Sequence, residues 1–390
     1  MSVAAVLVAG ALILAACGTL VAVASSRSAG AQRVPGGFVA QSITQMGSSA
    51  SVIVAGTVPC GHRVCPALLR GSLGAAGLVQ RWMRLQPPPL PPARNPVSSN
   101  LGRFVFANRL DGYDIVAPRA VGGSTAVYAT TDGGAAWSRV HVGSGTTLTM
   151  VATGSELYAV TASCGRQSCS DYRLSRSATG STRWSSVALP GSGSLAGSGV
   201  GLAAIGSQVV VDYAPPIASG EARLLWANNG RPPWHSRLVP GMPSVAACSL
   251  TAVAGGALWA ACPTGMFVSY LRSRGVNGSF RPVWDYPGTG GGGLVAVSAK
   301  VAYRFTGVAT TSPVRVPADT LQRTTDAGRR FTTVGRLPFA RDAGGVLVFV
   351  DGEDGFGLGA PPRRDHPGSH PVDAVFETAD GGVHWSEVIG

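Results

Sequence analysis

"TTDGGAAW" at residues 130–137 returns as "TTDAGRRF" at 324–331 and as "TADGGVHW" at 378–385. The shared frame is Thr, any residue, Asp, any residue, Gly, two of any kind, then an aromatic. Such a frame could hold a ligand or make a turn, and a turn explains every fixed position. The Thr closes a strand. The Asp carboxylate accepts backbone N–H groups within the turn. The Gly takes a backbone conformation that a β-carbon resists. The aromatic opens the next strand and packs under the hairpin. Thr130, Asp132, Gly134 and Trp137 are therefore read as structural, as are Thr324, Asp326, Gly328 and Phe331, and Thr378, Asp380, Gly382 and Trp385.

The aromatics extend the pattern beyond these three copies. Trp82, Trp137, Trp184, Trp234, Phe280, Phe331 and Trp385 are separated by 55, 47, 50, 46, 51 and 54 residues. A period of about 50 with room for four short strands marks a propeller blade. In the second unit the strands read "RFVFAN", "DGYDIVAP", "TAVYATT" and "AWSRVHV". The last unit repeats them as "GVLVFV", "DGFGLGA", "DAVFETA" and "HWSEVI". The turn "DGY" at 111–113 also returns as "DGF" at 354–356. The middle units are degenerate; Asn228 stands near the Asp position of the fourth. The expectation is an all-β chain. Its 38–390 region forms a single seven-bladed β-propeller of four-stranded blades, with six or eight blades as alternatives.

Bulk composition agrees with that class. Of 390 residues, 54 are Gly and 27 are Pro, which favours short strands and turns over long helices. The net charge is +12, yet no basic run of five or more exists, so a nucleic-acid stripe is not indicated. Residues 1–26 carry no charged side chain and read as an export or anchor segment, with 27–37 as a linker. Three readings stay open there. "LAAC" at 14–17 resembles a lipobox, which would make Cys17 a lipidated N-terminus. "AVA" at 22–24 resembles a signal-peptidase site, and retention as one anchor helix is the third. All three place the remainder outside the cytoplasm, membrane-anchored or secreted.

Six cysteines then fall into local pairs, Cys60/Cys65, Cys164/Cys169 and Cys248/Cys262. Local pairs in an exported chain read as disulfides. Zinc would want supporting histidines beside them, and none cluster there.

On these residues the chain resembles Asp-box (BNR) repeat proteins, which include sialidases and many exported bacterial propellers. The resemblance runs from about residue 38 onward. It implies that the box is a fold element at the blade edge. Sialidases resemble one another in an Arg-Ile-Pro motif, an arginine triad and a Tyr–Glu pair. Here "FRPV" at 280–283 is the nearest string, and Glu377, beside the third box, is expected to face outward. No catalytic residue, metal site or cofactor is assigned. "GTGGGG" at 288–293 precedes a strand-like run and is no phosphate cradle.

The units differ most between their second and third strands. "PCGHRVCP" at 59–66, "SCGRQSCSD" at 163–171, "TGVATTSPVRVPAD" at 306–319 and "PPRRDHPGSHPVD" at 361–373 fall there. Equivalent connections emerge on one face of a propeller, and two of these four carry a cysteine pair. Arg363, Arg364, Asp365, His366 and His370 form a candidate polar contact patch. The expected activity is binding or scaffolding in the cell envelope by a monomer. The partner would be an envelope protein or polymer, with membrane attachment through the N-terminus. A sialidase-type glycosidase and a purely structural envelope protein are the alternatives.

Overall fold

Val52, Ile53, Val54 and Ala55 are consecutive, apolar and buried. A strand buried on both faces has no polar side to alternate with. Its even residues pack one way and its odd residues the other. Val52 and Val54 join an apolar cluster with Phe356, Leu358, Val375 and Ile389 from the far end of the chain. Ile53 and Ala55 join one with Phe104 and Phe106. This strand lies between two neighbouring sheets.

The computed structural model describes residues 34–390, apart from 75–76, 91–101, 117–124, 166–167, 192–194, 197–198, 214–220, 244–246, 265–266, 288–292, 307–319, 340–345, 360–373 and 390. Seven antiparallel sheets follow one another along the sequence. Blade 1 comprises β1 (Val39–Gln45), β2 (Ser51–Cys60), β3 (Arg63–Leu73) and β4 (Val79–Leu85). Blade 2 comprises β5 (Arg103–Phe106), β6 (Gly112–Val116), β7 (Ala126–Thr130) and β8 (Ser138–Val140). Blade 3 comprises β9 (Thr146–Ala152), β10 (Glu156–Cys164), β11 (Ser168–Ala178) and β12 (Ser185–Ala188), with a short β13 (Leu195–Ala196) added on β11. Blade 4 comprises β14 (Val200–Ile205), β15 (Gln208–Tyr213), β16 (Glu221–Asn228) and β17 (His235–Pro243). Blade 5 comprises β18 (Ser249–Ala252), β19 (Leu258–Thr264), β20 (Phe267–Ser273) and β21 (Arg281–Pro287). Blade 6 comprises β22 (Gly293–Ala296), β23 (Ala302–Thr306), β24 (Thr320–Thr324) and β25 (Thr332–Arg336). Blade 7 comprises β26 (Val346–Phe349), β27 (Gly355–Gly359), β28 (Ala374–Thr378) and β29 (Ser386–Ile389).

The first strand of each blade is innermost. β1 lies beside β5 and β26, β5 beside β9, and β9 beside β14. Apolar clusters fill six of the interfaces between neighbouring blades. The periodic aromatics explain their own spacing, because each packs toward the preceding blade. Trp137 stands edge-on to Phe104 and Phe106, 5.9 and 6.4 Å between ring centroids, in the cluster shared with blade 1. Trp184, Trp234, Phe280 and Trp385 do the same at later interfaces.

Among the described residues, blades 5 and 6 meet differently. Arg272 lies over Trp259 and donates from Nε and Nη2 to the Ala299 carbonyl at 3.0 and 2.6 Å. Arg304 lies between the rings of Trp284 and Phe331, 4.9 and 4.2 Å from their centroids. Cation–π stacking and hydrogen bonds stand in for an apolar cluster there.

The ring closes without exchange of a strand: blades 1 and 7 are each built from one contiguous segment. The apolar cluster of Phe38, Ile43, Phe356 and Ile389 holds the two ends together. A buried carboxylate assists it. Glu377, expected to face outward, is instead buried and accepts a 2.8 Å hydrogen bond from the Val79 N–H of blade 1. Its position explains the difference. It precedes the Thr of its turn, and residues at that place in β3, β11, β20 and β24 are Arg70, Arg176, Arg272 and Arg323. Arg272 reaches across to blade 6, and Glu377 reaches across to blade 1.

Candidate functional site

The three Thr-x-Asp turns share one hydrogen-bond pattern. The Thr130, Thr324 and Thr378 hydroxyls donate to Oδ1 of Asp132, Asp326 and Asp380 at 2.7, 2.9 and 2.8 Å. The same hydroxyls accept the N–H of Gly134, Gly328 and Gly382 at 2.9, 3.0 and 2.9 Å. The carboxylates accept further N–H groups, from Ala135 and Ala136 in the first turn and from Val383 and His384 in the third. The glycines have φ of +91°, +84° and +90°, the left-handed region. At Asp380 partial burial opposes the charge. The N–H and ring of His384 and the Thr378 hydroxyl outweigh it and hold the carboxyl at about 2. Each carboxylate is thus committed to its own turn. The turns also tie to the first hairpin of their blade, as where the Gly381 N–H donates to the Glu353 carbonyl at 2.8 Å. Ser177 and Ser273 fill the Thr position in blades 3 and 5, bonding to the carbonyls of Arg183 and Gly275 at 2.9 and 2.6 Å.

In an antiparallel four-stranded blade these turns and the second-to-third connections lie at opposite ends. The latter end carries the disulfides of blades 1 and 3. Cys60–Cys65 spans the turn between β2 and β3, with a Cα separation of 5.8 Å. Cys164–Cys169 spans that between β10 and β11, at 4.0 Å. His62 and Arg63 are exposed at the first tip. Cys248–Cys262 has another role. It is buried in the cluster between blades 4 and 5 and joins the entry of β18 to β19. Arg363, Arg364, Asp365, His366 and His370 lie outside the described residues, as does Cys17.

Two buried carboxyls sit on second strands, Asp114 in β6 and Asp212 in β15, both fully inaccessible. Asp212 Oδ2 accepts the Cys248 N–H at 2.6 Å, and its Oδ1 has no partner. The N–H of Gly102 lies beside Asp114 and tempers its shift without making a well-formed hydrogen bond. Burial pushes both carboxyls up to about 7. With no accessible surface, neither can touch a substrate in this arrangement. Asp212 escaped the reading of the sequence, although a carboxylate ending the run Val209–Val211 was a visible signal. Nearby on the inner ring, Arg103 donates from Nη2 to the Thr149 hydroxyl at 2.5 Å. Its side chain reaches solvent, yet desolvation lowers its pKa, as befits a concave position.

A cleft of about 500 Å³ opens between blades 2 and 3 at the disulfide-bearing end. It is lined by Thr125, Val127, Val140 and Val142 of blade 2 and by Thr147 of blade 3, with Arg139 and His141 at its edge. Both basic side chains are exposed. No single stretch of sequence marks this cleft, because Thr147 belongs to the next blade.

Seven radially repeated four-stranded sheets around an inner ring of first strands define a seven-bladed β-propeller. Among solved structures the chain is similar to the β-propeller domain of the trilobed protease from Pyrococcus furiosus, described as having an open velcro topology. Identity is 9%, the TM-score is 0.51, and the match covers 90% of this chain and 97% of that one. It is also similar to YCF48 bound to D1 peptide, with 14% identity, a TM-score of 0.48, and 87% and 96% covered. A third likeness is to the GH74 xyloglucanase from Xanthomonas campestris, with 15% identity, a TM-score of 0.32, and 92% of this chain but 63% of that one covered. At 9% identity the property shared with the protease domain is the fold. No family model and no curated protein matches the chain.

Proposed function

We propose that the chain is an exported, envelope-associated propeller of the Asp-box type, acting as a binding or scaffolding module. Its contact surface is the end of the ring that carries the disulfides. The observation behind this reading is the pair of disulfides across the β2–β3 and β10–β11 turns. A cross-link closing so short a loop holds an exposed turn in one shape, and pre-shaped loops on a rigid scaffold suit recognition. Disulfides also favour an oxidising compartment, in line with export through residues 1–26.

A photocrosslinking residue in place of His62, and separately of His384 at the opposite end, tests the reading in intact cells. The expected result is a discrete adduct from position 62 alone. Equal labelling from both positions, or none from either, would overturn it. Robust turnover of a fluorogenic glycoside by the purified chain would favour the glycosidase alternative. Mass spectrometry of the mature N-terminus distinguishes lipidated Cys17 from cleavage after Ala24.

A further inference from the structure

A ring whose end blades share no strand would be expected to yield where those ends meet. The seam between blades 1 and 7 is instead well sealed. Phe38, Val54, Phe356, Val375 and Ile389 pack there in one buried cluster, and the Glu377 carboxylate takes the Val79 N–H across it. Among the described residues the seam between blades 5 and 6 is the one that no such cluster fills. β18 and β22 touch least of all neighbouring first strands. Tyr303 and Phe305 of β23 turn toward blade 7, so Ala302 and Arg304 lie on the face toward blade 5. What crosses there is polar. The Ala299 N–H reaches the Ala254 carbonyl at 3.2 Å, and the Trp259 indole N–H reaches the Ser298 carbonyl at 3.3 Å. Arg272 and Arg304 add their hydrogen bonds and ring contacts. Arg274 of blade 5 and Arg329 of blade 6 set like charge near Arg272, and no ion pair among the described residues spans the seam. Water can replace each of these bonds when the blades part, so each holds the seam only by its small net worth. Water offers no such replacement for buried apolar surface.

We infer that the ring yields first between blades 5 and 6: this seam parts transiently in the native protein while the other six interfaces and the seven sheets stay intact. The backbone ladders run within blades, so parting breaks none of them. The ring thereby has a hinge inside the continuous chain and away from its ends.

The test uses thiol labelling of the purified 390-residue chain. Ala302→Cys puts a thiol on the seam, and Ala159→Cys puts one in the apolar cluster between blades 2 and 3; both alanines are inaccessible. N-ethylmaleimide uptake, read peptide by peptide by mass spectrometry and normalised to the rate in denaturant, reports opening at each position. Labelling at position 302 should be at least about tenfold faster than at position 159. Arg272→Ala should speed it at least about threefold further and leave position 159 unchanged. Equal protection of the two thiols, faster labelling at 159, or an equal response of both to Arg272→Ala would overturn the inference. Amide exchange in the unsubstituted chain gives a second reading that needs no cysteine variant to fold. The Ala299 N–H should exchange at least about tenfold faster, relative to its intrinsic rate, than the N–H groups of Val79 and Cys248, which bond across to blades 7 and 4. Equal or slower exchange at Ala299 would also overturn it.

Discussion

Asp132, Asp326 and Asp380 each accept backbone N–H groups from the turn they begin. The residue before each glycine is also left-handed: Gly133, Ala327 and Gly381 have φ of +74°, +66° and +72°. Two of the three copies use glycine there, and the third places a methyl group in an unfavourable region. Ala327→Gly should therefore stabilise the protein by about 1 kcal/mol, even after the entropy that glycine adds to the unfolded chain. The 2.9 Å bond from its N–H to the Lys300 carbonyl can remain. Denaturant melting of the two proteins checks this, and a lower midpoint for the glycine variant would refute it.

At the scale of the element, Arg272 and Glu377, each at the position before the turn Thr, bond to the next blade, whereas Arg176 pairs with Glu156 of its own. Arg272 is the best-defined case, with two bonds to one carbonyl and a Trp ring beneath it. Arg272→Ala should cost about 1–2 kcal/mol, and Arg272→Lys should restore only part, since an ammonium cannot reproduce the fork. Urea midpoints of the two variants measure both effects. This layer was not legible in the sequence. The position holds Arg in four blades but Ala129, Trp226 and Glu377 in the others, so no motif marks it. The strands and turns were legible because Asp, Gly and an aromatic serve local needs at fixed spacing. The aromatics kept a period of about 50 because each fills an equivalent place between blades. Partners across an interface come from different blades, 27 residues apart at Arg272 and Ala299 and nearly 300 apart at Glu377 and Val79, and no local pattern reports them.

For the whole molecule, Asp114 and Asp212 set a dependence on pH. Their folded values of about 7 lie above the ordinary carboxyl value of about 3.9 in an unfolded chain. Between these limits the folded state binds more protons, so their contribution to stability falls as pH rises from about 4 to about 7. Asp380, held at about 2, acts oppositely: its contribution is present above about 4 and is lost as pH falls toward 2. The double variant Asp114→Asn, Asp212→Asn should flatten the decline between pH 5 and pH 8 in a thermal-melting series. A decline as steep as that of the parent would show that other groups cause it. The candidate site was only partly legible: the cysteine pairs stood out, whereas the cleft joins residues of two blades.

Each blade is written in a single uninterrupted passage, and the two ends meet without sharing a sheet. No sheet waits for its last strand to arrive from the other terminus. The choice of first blade is therefore not dictated by the ring itself. Joined end to end and reopened between any two blades, the same circle would be read from a different starting place.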